Sequence, residues 1–310
     1  MRRNREEGTL LITAKNIEYE LNPNLHMAAV TGMRKNTEEV IVPKEIVFNT
    51  FGEQTIKYTV IEIAPNAFIS ANIKKVVIPG TVRTIGENAF SGCAYLSSVR
   101  LSEGLKEIRK DAFRGCFALK EINWPGSLEV IKEFAFASCV GLRVLNLPEN
   151  LREIGESAFA YCMGLQDTYI PDSVTEIPPL MFNGCKELKA VRLPKRMKII
   201  GMMAFSECAN LKSIEIKKSP KIIDKLAFYK CKSLEELDLP DGLEEIRDRT
   251  FMECKSLKRI MLPGTVKKIG KNVFLKDPLE YISMPEAMKT LDFDEAGINY
   301  MTGILRVEWT

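Results

Sequence analysis

Histidine is nearly absent from this sequence: His26 is the only one among 310 residues. With it goes the usual general base near neutral pH, and "LNPNLHMAAV" brings no nucleophile beside it. No P-loop, G-x-S-x-G elbow or H-E-x-x-H helix appears either, so no enzyme activity and no cofactor are expected. C-x-x-C pairs are missing, which removes the commonest structural zinc pattern, and no metal site is expected. Charge of one sign is missing too. The 44 Lys and Arg nearly balance the 41 Asp and Glu, leaving +3, so the chain as a whole has no pull on nucleic acid. Long apolar runs are absent: nothing approaches the roughly 18 residues of a membrane-spanning helix. "MRRNREEGTLLITAKN" opens with arginines, but only "LLI" follows them, far short of a secretory apolar region of about 7–15 residues. No signal peptide is expected in the chain as it stands. That puts it in the cytoplasm if complete, and on the cell surface or secreted if it is a piece of something longer.

What the sequence has instead is a period. Phenylalanine stands at 68, 90, 113, 136, 159, 182, 205, 228, 251 and 274, one step of 22 followed by steps of 23. Aligned on that Phe, a unit reads V/L-x-x-I-x-x-x-A-F-x-x-C-x-x-L-x-x-I-x-L-P-x-x. All eight cysteines fall three residues after a Phe: Cys93, Cys116, Cys139, Cys162, Cys185, Cys208, Cys231 and Cys254. No unit of this size can bury its own Leu, Ile, Phe and Cys, so the units must stack and cover one another.

Each segment of the unit has a local reading. "LSSVRL" (96–101) and "LKAVRL" (188–193) alternate apolar and polar residues as a half-buried strand does. A proline follows in most units, as at Pro79, Pro148 and Pro240, and ends the ladder because it has no N–H to give. V/L-x-x-I offers a second short extended segment, often closed by glycine (Gly86, Gly155, Gly201, Gly270), where a positive φ is expected. A-F-x-x-C-x-x-L spaces its apolar groups by three, which predicts a single α or 3-10 turn on the outer side.

Taken together, the L-x-x-I-x-L core, the A-F pair, the cysteine and the trailing proline resemble the leucine-rich repeats, and more narrowly the 23-residue class of BspA-like proteins, over residues 60 to 291. The buried Asn column of the general leucine-rich repeat is missing; Gly104, Ser127, Asn150 and Ser173 stand in its place. The resemblance implies an α/β repeat fold, a leucine-rich repeat solenoid forming a curved right-handed superhelix. A parallel sheet lines one face, short helical or 3-10 turns the other, and a β-rich cap precedes the stack. Three regions are expected: cap 1–59, ten repeats 60–287, and a C-terminal cap with a partial repeat 288–310. Both end units are atypical, with Ala71 and Asp277 in the cysteine column. In the first cap "AAVTG", "EEVIVP" and "TIKYTVIEI" read as strands, with turns at Gly32 to Asn36 and around Gly52. "GILRVEWT" reads as a last strand whose Trp309 shields the core.

Parallel side chains in a stack keep Cβ atoms about 4.8 Å apart, beyond the roughly 3.8 Å a disulfide prefers. The cysteines are therefore expected as a buried ladder of free thiols, with bridges or metal as the lesser alternative. The phenylalanine column is expected in the core. Trp124, in an inward strand position of "EINWPGS", is expected in the core as well, with a local bulge as the alternative.

What remains for function is surface. The central polar column of the strands carries Arg100, Asn123, Asn146, Tyr169, Arg192, Glu215, Asp238 and Met261. This face is the candidate site for a protein or glycan, which would make the chain an interaction or adhesion-type module; the alternative is a rigid spacer without a ligand. Basic charge concentrates from Lys186 to Lys232, with thirteen Lys or Arg against four Asp or Glu. Lys195 and Arg196 follow one strand and Lys217 and Lys218 the next, so a basic edge able to hold an acidic polymer is expected.

Overall fold

The computed structural model describes residues 2–3, 9–49, 55–216, 220–298 and 305–310. The chain divides into two compact units, Met1–Gly141 and Leu142–Thr310. The repeats of each stack their strands in parallel, the first unit adds antiparallel strands at its N-terminal end, and among the described residues helix is confined to Glu286–Met288 and Phe293–Ala296.

Three backbone ladders tie neighbouring repeats together. The first joins the main strands: in the first unit Glu39–Ile41, Lys75–Ile78, Ser98–Leu101 and Glu121–Ile122 lie side by side, Val76 opposite Val99 and Val99 opposite Ile122. The second joins the short extended segments, Thr84–Ile85 to Glu107–Ile108 to Val130–Ile131. In both, alternate residues are buried, as the sequence pattern requires.

The third ladder runs through the A-F-x-x-C segment. In place of the expected helical turn, N–H groups alternate in direction. Ala89, Ser91 and Cys93 donate back to Gly86, Asn88 and Phe90 within the repeat. Asn88, Phe90 and Gly92 donate to Lys110, Ala112 and Arg114 of the next one, at 3.0, 2.7 and 2.7 Å. The back-bonds have 3-10 spacing, but no helix can continue, because the residues two before and two after each Phe take φ near +55 to +75°. Asn88 is at 53°, Gly92 at 72°, Met203 at 56° and Glu207 at 60°. Each left-handed residue sends its own N–H along the stack, as Asn88 and Gly92 do, so that a buried donor finds a carbonyl it would otherwise lack.

These ladders place the side-chain columns. In the first unit Phe68, Phe90, Phe113 and Phe136 stack at 5.1 Å between ring centres, with interplanar angles of 13, 4 and 9°. In the second, Phe182, Phe205 and Phe228 stack at 5.6 and 5.4 Å. All eight cysteines are free and buried. Each thiol whose bond is resolved donates to a Phe carbonyl of the preceding repeat, as Cys93 Sγ does to Phe68 O at 3.0 Å and Cys254 Sγ to Phe228 O at 3.2 Å. Hydroxyls do the work of the missing Asn column: Ser127 Oγ accepts from Gly104 N at 2.7 Å and donates to Leu105 O at 2.9 Å, and Thr265 repeats the arrangement between Gly242 and Leu243.

The glycines of the second segment have a different reason from the expected one. Gly86, Gly201 and Gly270 do not adopt positive φ; a Cβ at Gly86 would stand 2.6 Å from Pro65 N, and one at Gly201 would stand 2.7 Å from Ile177 O. They are sites where consecutive repeats touch through backbone. Trp124 is not fully in the core: the strand stops at Ile122, and Trp124 is half-buried, edge-on to Phe136 at 5.1 Å.

At the N-terminal end Leu10–Ala14, Ile17–Asn22 and Met27–Met33 form an antiparallel meander. Thr55–Ile63 lies parallel to Met27–Met33 and joins the short-segment ladder at Thr84. Gly32 stays within its strand, moving the turn past Met33, and the turn around Gly52 lies outside the described residues. At the C-terminal end the helix Phe293–Ala296, capped by Asp292 Oδ1 on Glu295 N at 3.0 Å, offers Glu295 O and Ala296 O to Asn272 and Phe274. Arg306–Trp309 pairs in parallel with Tyr281–Met284, with Trp309 half-buried 6.4 Å from Phe293.

Candidate functional site

In the second unit the strands Val144–Asn146, Asp167–Tyr169 and Ala190–Arg192 set Asn146, Tyr169 and Arg192 directly opposite one another, and a single bridge brings Glu215 beside Arg192. Alternation sends Leu145, Thr168 and Val191 inward and this row outward, since successive side chains point to opposite faces. The Arg192 guanidinium lies over the Tyr169 ring, 4.9 Å from its centre. The phenol donates to Glu149 Oε1 at 2.6 Å, and that bond, which is lost when the phenol ionises, pushes its pKa up to about 12. Tyr169 is therefore a half-buried neutral ring fixed at both face and tip.

The other strand-face candidates are not all equivalent. Asp238 is exposed, opposite Met261 in the sheet of Glu236–Asp238 and Arg259–Met261. In the first unit Arg100 is exposed opposite Val77. Asn123, by contrast, has folded back: its carboxamide accepts from Leu101 N at 2.8 Å and donates to Leu101 O at 2.6 Å. It imitates the strand that ends one residue earlier, so its polar atoms are engaged by the fold.

At the basic edge, Lys195 is not a free cation. Its Nζ lies 3.1 Å from Asp172 Oδ2 and its backbone N–H donates to Asp172 Oδ1 at 2.9 Å. Those bonds hold the Asp172 carboxyl below its usual range. Arg196 is exposed. Lys217 and Lys218 lie outside the described residues. The signal that finds Asp172 is the period itself, because Asp172 and Lys195 are 23 residues apart. The same offset pairs Lys221 with Glu244, Glu244 with Lys267, and Glu253 with Lys276, at 3.2, 3.1 and 3.0 Å.

His26 stands edge-on to Tyr58 at 6.0 Å. Among the described residues no group of three or more His, Cys, Asp or Glu is placed to hold a metal, and no helix is long and apolar enough to cross a membrane.

The family described as BspA type leucine rich repeat region, in six copies, matches residues 61–189 and 175–294. A leucine-rich repeat protein of Treponema pallidum is similar at 32% identity over 64% of this chain and 90% of its own, with a TM-score of 0.57. A leucine-rich repeat protein from Bacteroides ovatus aligns at 25% identity over 96% of this chain and 99% of its own, TM-score 0.57. A leucine rich cell surface protein from Faecalibacterium prausnitzii shares the fold at 22% identity over 97% and 95%, TM-score 0.60. No curated protein sequence matches.

Proposed function

The chain belongs to the BspA-type leucine-rich repeat family, and from that premise we propose that it is a non-catalytic interaction module whose ligand, a protein, docks on the strand face of the second unit around Tyr169 and Arg192. The observation that carries this reading is the Glu149–Tyr169–Arg192 arrangement. Tyr and Arg are the residue types that dominate binding energy at protein interfaces, and these two are held in one geometry before any partner arrives, so little side-chain entropy is lost on binding. Asn146 and Glu215 supply donors and acceptors beside them. Arg196 extends the surface to an acidic segment of the same partner. On this reading residues 1–59 and 288–310 are the caps that keep the stack from exposing its core.

The test is display. The full chain and its Tyr169→Ala/Arg192→Ala variant are each immobilised and offered a displayed random-peptide library and a glycan array. Peptides enriched on the parent and lost on the variant support the proposal. Glycans retained by the parent alone change the ligand class but keep the site. Binding that survives the double substitution moves the site elsewhere, and no enrichment on either leaves the spacer reading standing.

A further inference from the structure

The antiparallel strands of the first unit present a second surface, unrelated to the strand face. In register across four strands stand Leu11, Glu20, Ala29 and Glu62, each opposite the next. Their neighbours Leu21, Ala28 and Val60 point into the core, so this row faces outward. Two carboxylates therefore flank an alanine, with backbones about two strand spacings apart, roughly 9–10 Å. The alanine leaves the floor between them low.

The walls of this notch are apolar by construction. The register shifts between Ala28 and Ala29, so that Val60 opposes Ala28 while Glu62 opposes Ala29. That bulge leaves Ile61 over, and strand Thr55–Ile63 buries Val60 and Ile63 but turns Ile61 and Glu62 out together. A bulge of this kind re-aims a side chain: Ile61 points outward by alternation from Tyr58 and Val60, and the bulge turns Glu62 out beside it. Met27 is 37% exposed and Leu25 62% exposed at the same concavity.

Each carboxylate has one oxygen engaged. Glu20 Oε1 accepts from Thr9 Oγ1 at 2.7 Å, and Glu62 Oε1 lies 3.4 Å from an Arg109 nitrogen. Among the described residues no bond to either Oε2 is found. Arg109 divides its charge between Glu62 and Glu107, at 3.4 Å from each, so among the described side chains the notch keeps a negative balance.

We propose that this notch is a docking site for a basic side chain, Lys or Arg, carried on an apolar segment of a partner protein. The methylene stem would lie on Ala29 between Met27 and Ile61, which suits side chains that bury their stems and keep the charged head at a polar rim. The head would reach the open oxygens of Glu20 and Glu62. An acidic or purely apolar segment would leave those carboxylates partly desolvated and unpaired, which disfavours it.

The experiment uses the full chain and a labelled nine-residue peptide of Ala and Leu with one central Lys, against the same peptide with norleucine or Glu at the centre. Fluorescence anisotropy should show the Lys peptide binding several-fold tighter than the norleucine one, with the difference shrinking as salt rises, and no binding of the Glu peptide. The isosteric Glu20→Gln/Glu62→Gln variant should bind Lys and norleucine peptides alike. Ala29→Phe, which fills the floor without entering the core, should bind neither; circular dichroism and the melting midpoint establish that each variant is folded. Equal binding of Lys and norleucine peptides by the parent, an unchanged preference in the Gln variant, or no binding at millimolar peptide would each overturn the proposal.

Discussion

The backbone N–H of Cys254 donates to Oδ1 of Asp277 at 2.8 Å, while Oδ2 of the same carboxyl lies buried with no partner among the described residues. Asp277 stands in the column that eight other repeats fill with cysteine. Burial pushes its pKa to about 9, with the nearby charge of Glu253 adding to the shift and the bond from Cys254 opposing it. An unfolded aspartate ionises near pH 3.9, so between about pH 4 and pH 9 the folded chain keeps a proton that the unfolded chain gives up. Stability from this group is greatest below that window, falls as pH rises through it, and levels off above it. Asp277→Asn, which keeps the acceptor and cannot ionise, should be more stable than the parent at pH 7 and lose that advantage towards pH 4. Urea melts across this range test it; an advantage independent of pH would show the carboxyl to be solvated.

The thiols should be inert while the stack is closed. Burial raises the Cys93 pKa to about 11, and it raises Cys116, Cys185, Cys208, Cys231 and Cys254 well above the ordinary range. Since the thiolate is the reactive form, a thiol reagent at pH 8 should label almost none of the eight in the native chain and all eight in denaturant. Prompt native labelling of most of them would contradict the buried column.

Phe205 is fully buried between Phe182 and Phe228. Phe205→Ala should cost about 3–5 kcal/mol as a core cavity, more than Phe274→Ala, whose ring stacks on Phe251 on one side and whose backbone N–H bonds to Ala296 O of the terminal segment. Denaturant melts of the two variants rank them, and equal losses would mean that the terminal segment packs as tightly as a repeat.

Two backbone substitutions should have opposite signs. Gly201→Ala forces a Cβ to 2.7 Å from Ile177 O and from Pro179 N, and should destabilise by about 1–3 kcal/mol as overpacking does. Arg249 is exposed and holds φ at 57°. Arg249→Asn, a residue that tolerates this conformation, should stabilise by about 0.5 kcal/mol in the same melts.

The columns were legible in the sequence wherever a side chain is the cause. Phe and Cys recur because the core demands their volume, and the strands show as alternation. The third ladder was not legible, because its cause is backbone. Leu180, Met203 and Arg249 hold left-handed φ at positions where other repeats have Asn88 or Asp111, and only the hydrogen bonds to the next repeat keep them there. The same blindness misassigned the glycines: Gly86 reads as a turn residue, yet it is a contact point visible only once Pro65 lies against it. On the surface, Tyr169 and Arg192 were legible as outward residues from alternation, but their stacking was not. Asn123 is exposed where alternation places it, but the bonds of its carboxamide to Leu101 were not legible, because no local pattern marks the early end of its strand.

The thiol column has a direction. In the second unit Cys185, Cys208, Cys231 and Cys254 each hand a hydrogen to a carbonyl that comes earlier in the chain, on Phe159, Phe182, Phe205 and Phe228. Reversing the order of two repeats would preserve every apolar contact type, yet removing a whole repeat merely joins one donor to the next acceptor and leaves the row intact. Repeats of this kind are interchangeable parts with a head and a tail, so chains that gain or lose multiples of 23 residues inside the row should fold with the same chemistry at every remaining joint. Insertions of any other length break the row at one place and betray their position by a single reactive thiol.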